Sequence, residues 1–410
     1  MSLVLNTNIA SLQAQNNLTK SGSALSTATQ DLSSGLKINS AADNAAGYAI
    51  ATRFQTQIGG LGQASENASD AINLAQTAGS ALSQITSNLQ SIRDLAVQSA
   101  NGTYQSSDRA AINTSVQQYL SEITRIANQT TFNGTNVLNG SVGQLSFQIG
   151  ANVGQQINVQ LGQGATTSQV GQISEISTAD VSGAFVNASG LSGQSISLSG
   201  LTIEGADGNS YSLSGASASN AQGLADAINA AGIAGVSAAV NASGGINIYS
   251  TGELAVTGSA LTGAAGTAFN FTNNAVAFGA SGVGTTATGF AATGAAYTNG
   301  SVITASGSLT GGDVLTVDDS NNLISRVDAA LTQVSTFQST LGAVQNRFQS
   351  TIATVSAQQT NLTASQSSIQ DTDFAATTAQ LSKAQVLQQA GISVLATANA
   401  QPQQILKLLG

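Results

Sequence analysis

The chain has 410 residues, 41% hydrophobic, 4% aromatic and only 7% charged, with 10 Lys or Arg against 19 Asp or Glu and a formal charge of −9. Since an ordinary globular protein carries about 25% charged residues, this surface must be made of Ser, Thr, Asn, Gln, Gly and Ala. The absence of His and Cys excludes Ser-His-Asp and Cys-His catalysis, a His general base and His/Cys zinc sites.

Residues 6–34 predict a first helix, with a thin apolar stripe at Ile9, Leu12, Leu18, Leu25 and Leu32 on an otherwise polar surface. The stretch QDLSSGLKINSAADNAAGYAIA then interrupts it. Gly35 suits a left-handed stop, Asn39 and Ser40 a turn, and Asp43 the cap of a second helix. In that second helix Ala68, Ala71, Ala75, Ala78, Leu82, Ile85, Leu89, Ile92 and Ala96 recur in steps of three and four, the seam of a coiled coil. A third helix over 108–127 offers Val116, Leu120, Ile123 and Ile126.

Beyond it the period changes to two. Alternation predicts a hairpin over 145–161 turning near residues 150–154. Short strands follow in QSISLSGLTIEGADGNSYSLSG, a helix capped by Ser219 in ASNAQGLADAINAAG, and a hairpin in VSAAVNASGGINIYS. Residues 254–312 are mostly Gly, Ala, Ser and Thr, compatible with exposed β-structure. Helical periodicity then returns: Val327, Val334, Leu341, Phe348, Val355, Leu362 and Ile369 fall on every seventh residue, about 64 Å of helix at 1.5 Å per residue. A last helix, over 373–398, carries Leu381, Ala384, Leu387, Val394 and Ala398, followed by Pro402 and ILKLL.

Charge divides the chain in the same way. No Lys or Arg lies between Ile126 and Ser325, while nine acids do: Glu175, Asp180, Glu204, Asp207, Asp226, Glu253, Asp313, Asp318 and Asp319. The flanks are therefore neutral and the middle holds the net charge, which argues for two bodies and against nucleic acid as a partner. No P-loop motif occurs, and the Gly-rich runs near Gly59 and Gly282 lack a dinucleotide-site context. Of the dense carboxylates, Asp371 with Asp373 reads as a helix cap and Asp313 with Asp318 and Asp319 as a turn. No cofactor or metal and no enzymatic activity is expected. No apolar run reaches the length of about 18 residues that suggests a membrane span, and the sequence before Lys20 has no basic region of a Sec signal.

VLNTNIASLQAQNNL, LSSGLKINSAADNAAGYAIA, IRDLAVQSANG, TTFNGTNVLNG and QVLQQAGISVLATANAQPQQILKLLG together resemble bacterial flagellin, over about the first 160 and the last 90 residues. The resemblance implies an α+β chain in which long antiparallel coiled-coil helices from both termini form inner and rod domains around a β-rich insertion. Residues 1–40 and 371–410 would form the inner coiled coil, 41–176 and 313–370 the rod domain, and 177–312 the outer variable domain. Leu5, Ile9, Leu12, Leu18, Leu25, Leu32, Leu381, Leu387, Val394, Leu395, Ile405, Leu406 and Leu409 are expected in the terminal coiled coil and its contacts with neighbouring subunits. Leu82, Ile85, Leu89, Ile92, Val334, Leu341, Phe348, Val355 and Leu362 are expected in the rod seam. Gln13, Gln15, Asn16, Gln385, Gln388 and Gln389 are candidates for the lining of a polar channel.

The function implied is a structural subunit that polymerises into the flagellar filament, the propeller for swimming, secreted through the flagellar type III apparatus. Its partners would be itself, an export chaperone, the filament cap and hook-filament junction proteins. A junction protein of similar ends is the nearer alternative; a secreted surface adhesin or carbohydrate-active enzyme is the more distant one. The chain departs from the family where host receptors read it. Ser91, Ser115 and Tyr119 are uncharged at positions usually Arg- or Glu-bearing, while Arg93, Asp94 and Leu95 persist. The resemblance therefore implies weak recognition by innate receptors.

Overall fold

The computed structural model describes residues 8–178, 180–185, 193, 195–258, 261–262, 268–269, 275–278, 295–296 and 307–409. It contains six α-helices among the described residues: α1 (Ile9–Ser34), α2 (Ala45–Ala100), α3 (Ser106–Gln129), α4 (Ala221–Ala230), α5 (Val317–Gln370) and α6 (Phe374–Leu409). No described helix is long and apolar enough to cross a membrane. The chain forms two compact units, one of residues 1–69, 148–156 and 349–410, the other of 70–147 and 157–348.

In the first unit α1 runs antiparallel to α6. Asn8 caps α1 by accepting from Ser11 N at 3.1 Å, and its amide donates to Ala398 O at 2.8 Å. The early part of α2 lies antiparallel to the late part of α5, with Gln366 donating to Gln55 at 2.9 Å and Gly62 facing Gln359.

In the second unit the same two helices continue antiparallel. Gln338 donates to Ser83, and Arg93 pairs with Asp328 ten residues on along α2 and ten residues back along α5. Their seam is apolar: Leu82, Ile85, Leu89, Ile92, Val327, Phe348 and the seam alanines Ala68, Ala71, Ala75, Ala78 and Ala96 are all buried. The alanines allow close approach and the larger side chains of α5 fill against them, as knobs into holes. α3 adds Val116, Leu120, Ile123 and Ala127. Ala127 rather than Ile126 closes that stripe, because the step from Ile123 to Ala127 keeps the helical period. Arg109 donates to Ser99 O, Asn101 O and Tyr104 O, closing the C-terminal end of α2.

A second feature of all the long helices is where their hydroxyls go. Thr19, Thr27, Thr52, Thr77, Thr332 and Thr354 each donate to the carbonyl four residues back on their own helix, at 2.8–3.1 Å.

The strands are β1 (Thr131–Phe132), β2 (Thr135–Asn136), β3 (Gln144–Gln148), β4 (Gln156–Gln160), β5 (Ser174–Thr178), β6 (Ile196–Ser197), β7 (Leu201–Glu204) and β8 (Ser210–Ser212). They continue with β9 (Ser217–Ala218), β10 (Val236–Val240), β11 (Ile246–Ser250), β12 (Ala255–Gly258), β13 (Leu261–Thr262), β14 (Ala268–Phe269), β15 (Ala275–Phe278) and β16 (Ala295–Ala296). β3 and β4 form the expected hairpin, and β10 and β11 the second one. The largest sheet has the order β10-β11-β5-β15-β16 and a smaller one the order β12-β7-β8. Their shared core includes Ile176, Leu201, Ile203, Leu224, Ile228, Ile248 and Val256. α4 is capped by Asn220, not Ser219, through Gly223 N, since Asn220 is the residue one step outside the first helical turn. Much of the Gly, Ala, Ser and Thr run over 254–312 lies outside the described residues.

The chain enters and leaves the middle at a neck where two segments meet: Leu309 N donates to Val170 O at 3.1 Å, so the incoming and outgoing segments touch. Gly171, at φ +80°, makes this possible: a Cβ there would lie 2.7 Å from Leu309 Cγ and 2.9 Å from Arg326 O.

Candidate assembly surface

The seam between α1 and α6 is built largely from small residues. On α1 the residues facing the partner are Ala14, Ser21 and Ala28, buried, with Leu18, Leu25 and Leu32 half-buried between them. These six positions alternate in steps of four and three, so the leucines occupy one seam position and the small side chains the other. On α6 the matching set is Thr377, Leu381, Ala384, Gln388, Gly391, Leu395 and Ala398. A Cβ on Gly391 would sit 3.3 Å from Leu18 Cδ1, so the backbone of α6 and the Leu18 side chain pack face to face. The sequence pattern finds Ala384 and Ala398 but passes over Ala14, Ser21, Ala28 and Gly391; Gln388 belongs to this seam rather than to an open polar face.

The remaining large apolar side chains of the pair point elsewhere. Ile9 and Leu12 are 66% and 54% exposed and lie opposite the α1 seam at 100° per residue. Leu387 and Val394, seven residues apart and 50% and 55% exposed, run along one flank of the α6 seam. Ile392 lies on the other flank and Val386 on the back, and both are exposed. The helix pair is therefore apolar on several sides at once, which the intramolecular seam leaves uncovered. Ile405, Leu406 and Leu409 extend along α6, while Leu5 lies outside the described residues.

The joints beside this pair are closed by local chemistry. α1 stops at Gly35 with φ +70°, the left-handed stop that glycine allows without strain. Thr372 N donates to Gly35 O and Lys37 N to Gln370 O, so the two chain breaks, α1 to α2 and α5 to α6, meet in one short antiparallel bridge at Leu36 and Asp371. Asp43 does not cap α2. Its carboxylate accepts from Asn39 N, Ser40 N and the Ser40 hydroxyl, and these bonds hold it below the usual carboxylate range. Asn44 is the cap, accepting from Gly47 N at 2.9 Å. Gly47 leaves room for Ile38, itself buried, whose Cδ1 would lie 2.6 Å from a Cβ at this position. At the start of α6, Asp373 accepts from Ala375 N and Ala376 N.

Along α5 burial changes with position. Val334, Leu341 and Phe348 are buried, Phe348 edge-on to Phe147 with ring centroids 5.7 Å apart, and Val355 is still buried. Leu362 and Ile369 are only half-buried. Of the receptor-facing candidates, Asp94 is exposed, and Ser91, Arg93, Leu95, Ser115 and Tyr119 are partly exposed. Arg93 is engaged within the chain, its guanidinium donating to both oxygens of Asp328 at 2.7 and 3.3 Å. No group of three or more metal-ligating side chains occurs among the described residues.

Comparison with known proteins agrees with this layout. Residues 5–142 match the family description "Bacterial flagellin N-terminal helical region" and residues 324–409 "Bacterial flagellin C-terminal helical region". Over the full length of both chains the sequence is 37% identical to the B-type flagellin of Pseudomonas aeruginosa in an alignment of 514 residues. It is likewise 37% identical to the flagellin of Salmonella typhimurium over 497 residues, again with complete coverage of both. Among solved structures, that of FliC from Burkholderia pseudomallei is similar at 27% identity, covering 68% of this chain and 99% of that one, with a TM-score of 0.38.

Proposed function

The chain belongs to the bacterial flagellin family and is a structural subunit of the flagellar filament outside the cell, and on that premise we propose how its residues carry out assembly. The observation that carries the reading is the apolar surface around the terminal pair: Ile9, Leu12, Val386, Leu387, Ile392 and Val394 remain exposed on flanks that the α1–α6 seam does not use. Burying a Val, Leu or Ile side chain is worth about 1.5–3 kcal/mol, and here neighbouring copies supply the cover. A thin seam of Ala, Ser and Gly holds two helices marginally on its own, so ordering of the terminal pair and polymerisation are one coupled event.

In this reading residues 1–40 and 371–410 form the inner coiled coil, 41–176 and 313–370 the rod domain, and 177–312 an outer, acidic domain that takes no part in the polymer contacts. Gln13, Gln15, Asn16, Gln385 and Gln389, all exposed, line a polar channel. Export through the type III apparatus, a chaperone that shields the apolar termini before assembly, and contacts with the filament cap and the hook-filament junction proteins complete the set of partners. Recognition by vertebrate or plant receptors is weak, because Ser91, Ser115 and Tyr119 lack charge and Arg93 is already committed to Asp328.

Electron microscopy of purified, concentrated protein tests the proposal. Long tubular filaments are expected from the intact chain, and none from a variant lacking residues 402–410. A full-length, helical protein that never polymerises would refute it.

A further inference from the structure

The acidic middle rests on α5 through a small patch with little apolar area: Ile173, Tyr249, Ala239 and Ala329. The rest of the patch is polar. Ala242 N donates to Asp318 at 2.8 Å, the Ser237 and Ser325 hydroxyls meet at 3.3 Å, and Arg326 donates to Ser308 O at 3.0 Å. At its centre lies Glu175, on β5 between β11 and β15 and only 2% exposed. One of its carboxyl oxygens accepts from Asn322 Nδ2 at 2.8 Å; the other is buried without a hydrogen-bond partner.

The neighbours of this carboxyl decide which protonation state it tolerates. From α5 it faces Asp318, Asp319 and Arg326; from β11 it faces Tyr249, its direct cross-strand partner, whose hydroxyl accepts from Asn247. β10 and β15 carry no titratable residue. Among the described residues Arg326 is the cation beside it, yet its guanidinium donates to Asn322 Oδ1 at 2.6 Å and to Ser308 O at 3.0 Å, and it acts on Glu175 through its charge alone. A buried carboxylate with a single hydrogen bond and two further acids close by is costly.

We propose that a proton on Glu175 locks the β-rich middle onto α5, and that loss of this proton loosens the sheet from the helix while the α2–α5 seam stays closed. Burial raises the Glu175 carboxyl to about 8, with Asp318 and Asp319 adding to the shift and Arg326 and Asn322 opposing it. The sign follows from the raised folded-state value. The lock is fully present below the ordinary glutamate range and is lost as pH rises through the folded value. In the released state the carboxyl is hydrated and titrates normally, so the opening equilibrium rises about tenfold per pH unit between the two values and levels off above them.

The test uses full-length monomer below its polymerisation concentration, with hydrogen-exchange protection factors measured from pH 5 to 9. For β5 and β11 these should fall about tenfold per pH unit up to about pH 8, while seam amides around Leu89 and Leu341 keep theirs. Glu175→Gln, a neutral side chain of the same shape, should abolish the slope. A wild-type profile without slope, or the same slope in E175Q, overturns the proposal. If E175Q does not fold, the wild-type carboxyl decides the matter. The chain has five glutamates, so glutamate-specific ¹³C labelling resolves Glu175, and a midpoint near 8 supports the lock, whereas one below 5 overturns it.

Discussion

Replacing Leu387 and Val394 together by Gln separates assembly from folding. Both side chains lie on one flank of α6, 50% and 55% exposed in the single chain. Gln is at least as good a helix former as Val and close to Leu, so the monomer should keep its helicity and lose no more than about 0.5 kcal/mol, as for other exposed substitutions. In the filament the outcome differs. Covering the exposed half of each side chain is worth about 1 kcal/mol, half of the 1.5–3 for complete burial, so the pair contributes about 2 kcal/mol. At 1.4 kcal/mol per factor of ten, that alone raises the critical concentration roughly thirtyfold. Two amides desolvated without partners add to it. Seeded assembly followed by sedimentation gives the critical concentration, and circular dichroism gives the helix content. A variant of normal helicity that polymerises at the wild-type critical concentration would show that this flank is not an intersubunit surface.

Three further outcomes are expected. Joining Gly171 to Ser308 by deleting residues 172–307 removes the middle at its neck, where the backbone already touches, and filaments should still form, as seen by electron microscopy. Phe348→Ala should cost about 3–5 kcal/mol in urea unfolding, since the ring is buried against Phe147, while Leu362→Ala at a half-buried position should cost less than about 2. Arg at Ser91 with Glu at Ser115 should raise signalling in receptor reporter cells; native monomer already as potent as an enteric flagellin would refute weak recognition.

The long helices were legible because a seam that repeats every seven residues over dozens of residues leaves a signal no local exception can hide. Val327 to Phe348 on α5 and Ala68 to Ala96 on α2 are buried where the period puts them. The α1–α6 seam was only half legible. Ala14, Ser21, Ala28 and Gly391 carry no apolar signature, so the pattern named the leucines and included Leu387 and Val394, which lie outside the seam. Caps were misplaced by one residue at Asn44 and Asn220 because adjacent Asp, Ser and Asn are chemically equivalent as caps until the backbone fixes which one precedes the first turn. Glu175 could not be found in the sequence at all. The sequence marks it only as one of nine acids in the middle and predicts no strand at SEIST; the packing of α5 across the sheet is what takes it out of water.

The threonines that bond back to their own helices bear on the water in which the cell swims. A surface that owes its polarity to hydroxyls already paired with backbone carbonyls contains few charges for dissolved ions to screen. Arg93–Asp328, itself more than two-fifths exposed, contributes less than about 1 kcal/mol. Contacts between copies that rest on apolar burial and close fit, as proposed above, are insensitive to the Debye length. Sodium chloride should then leave the polymer almost unchanged from dilute buffer to brine, while sulfate, which strengthens burial by its exclusion from protein surfaces, drives assembly. On that reading a propeller of this composition should keep its joints in fresh and salt water alike.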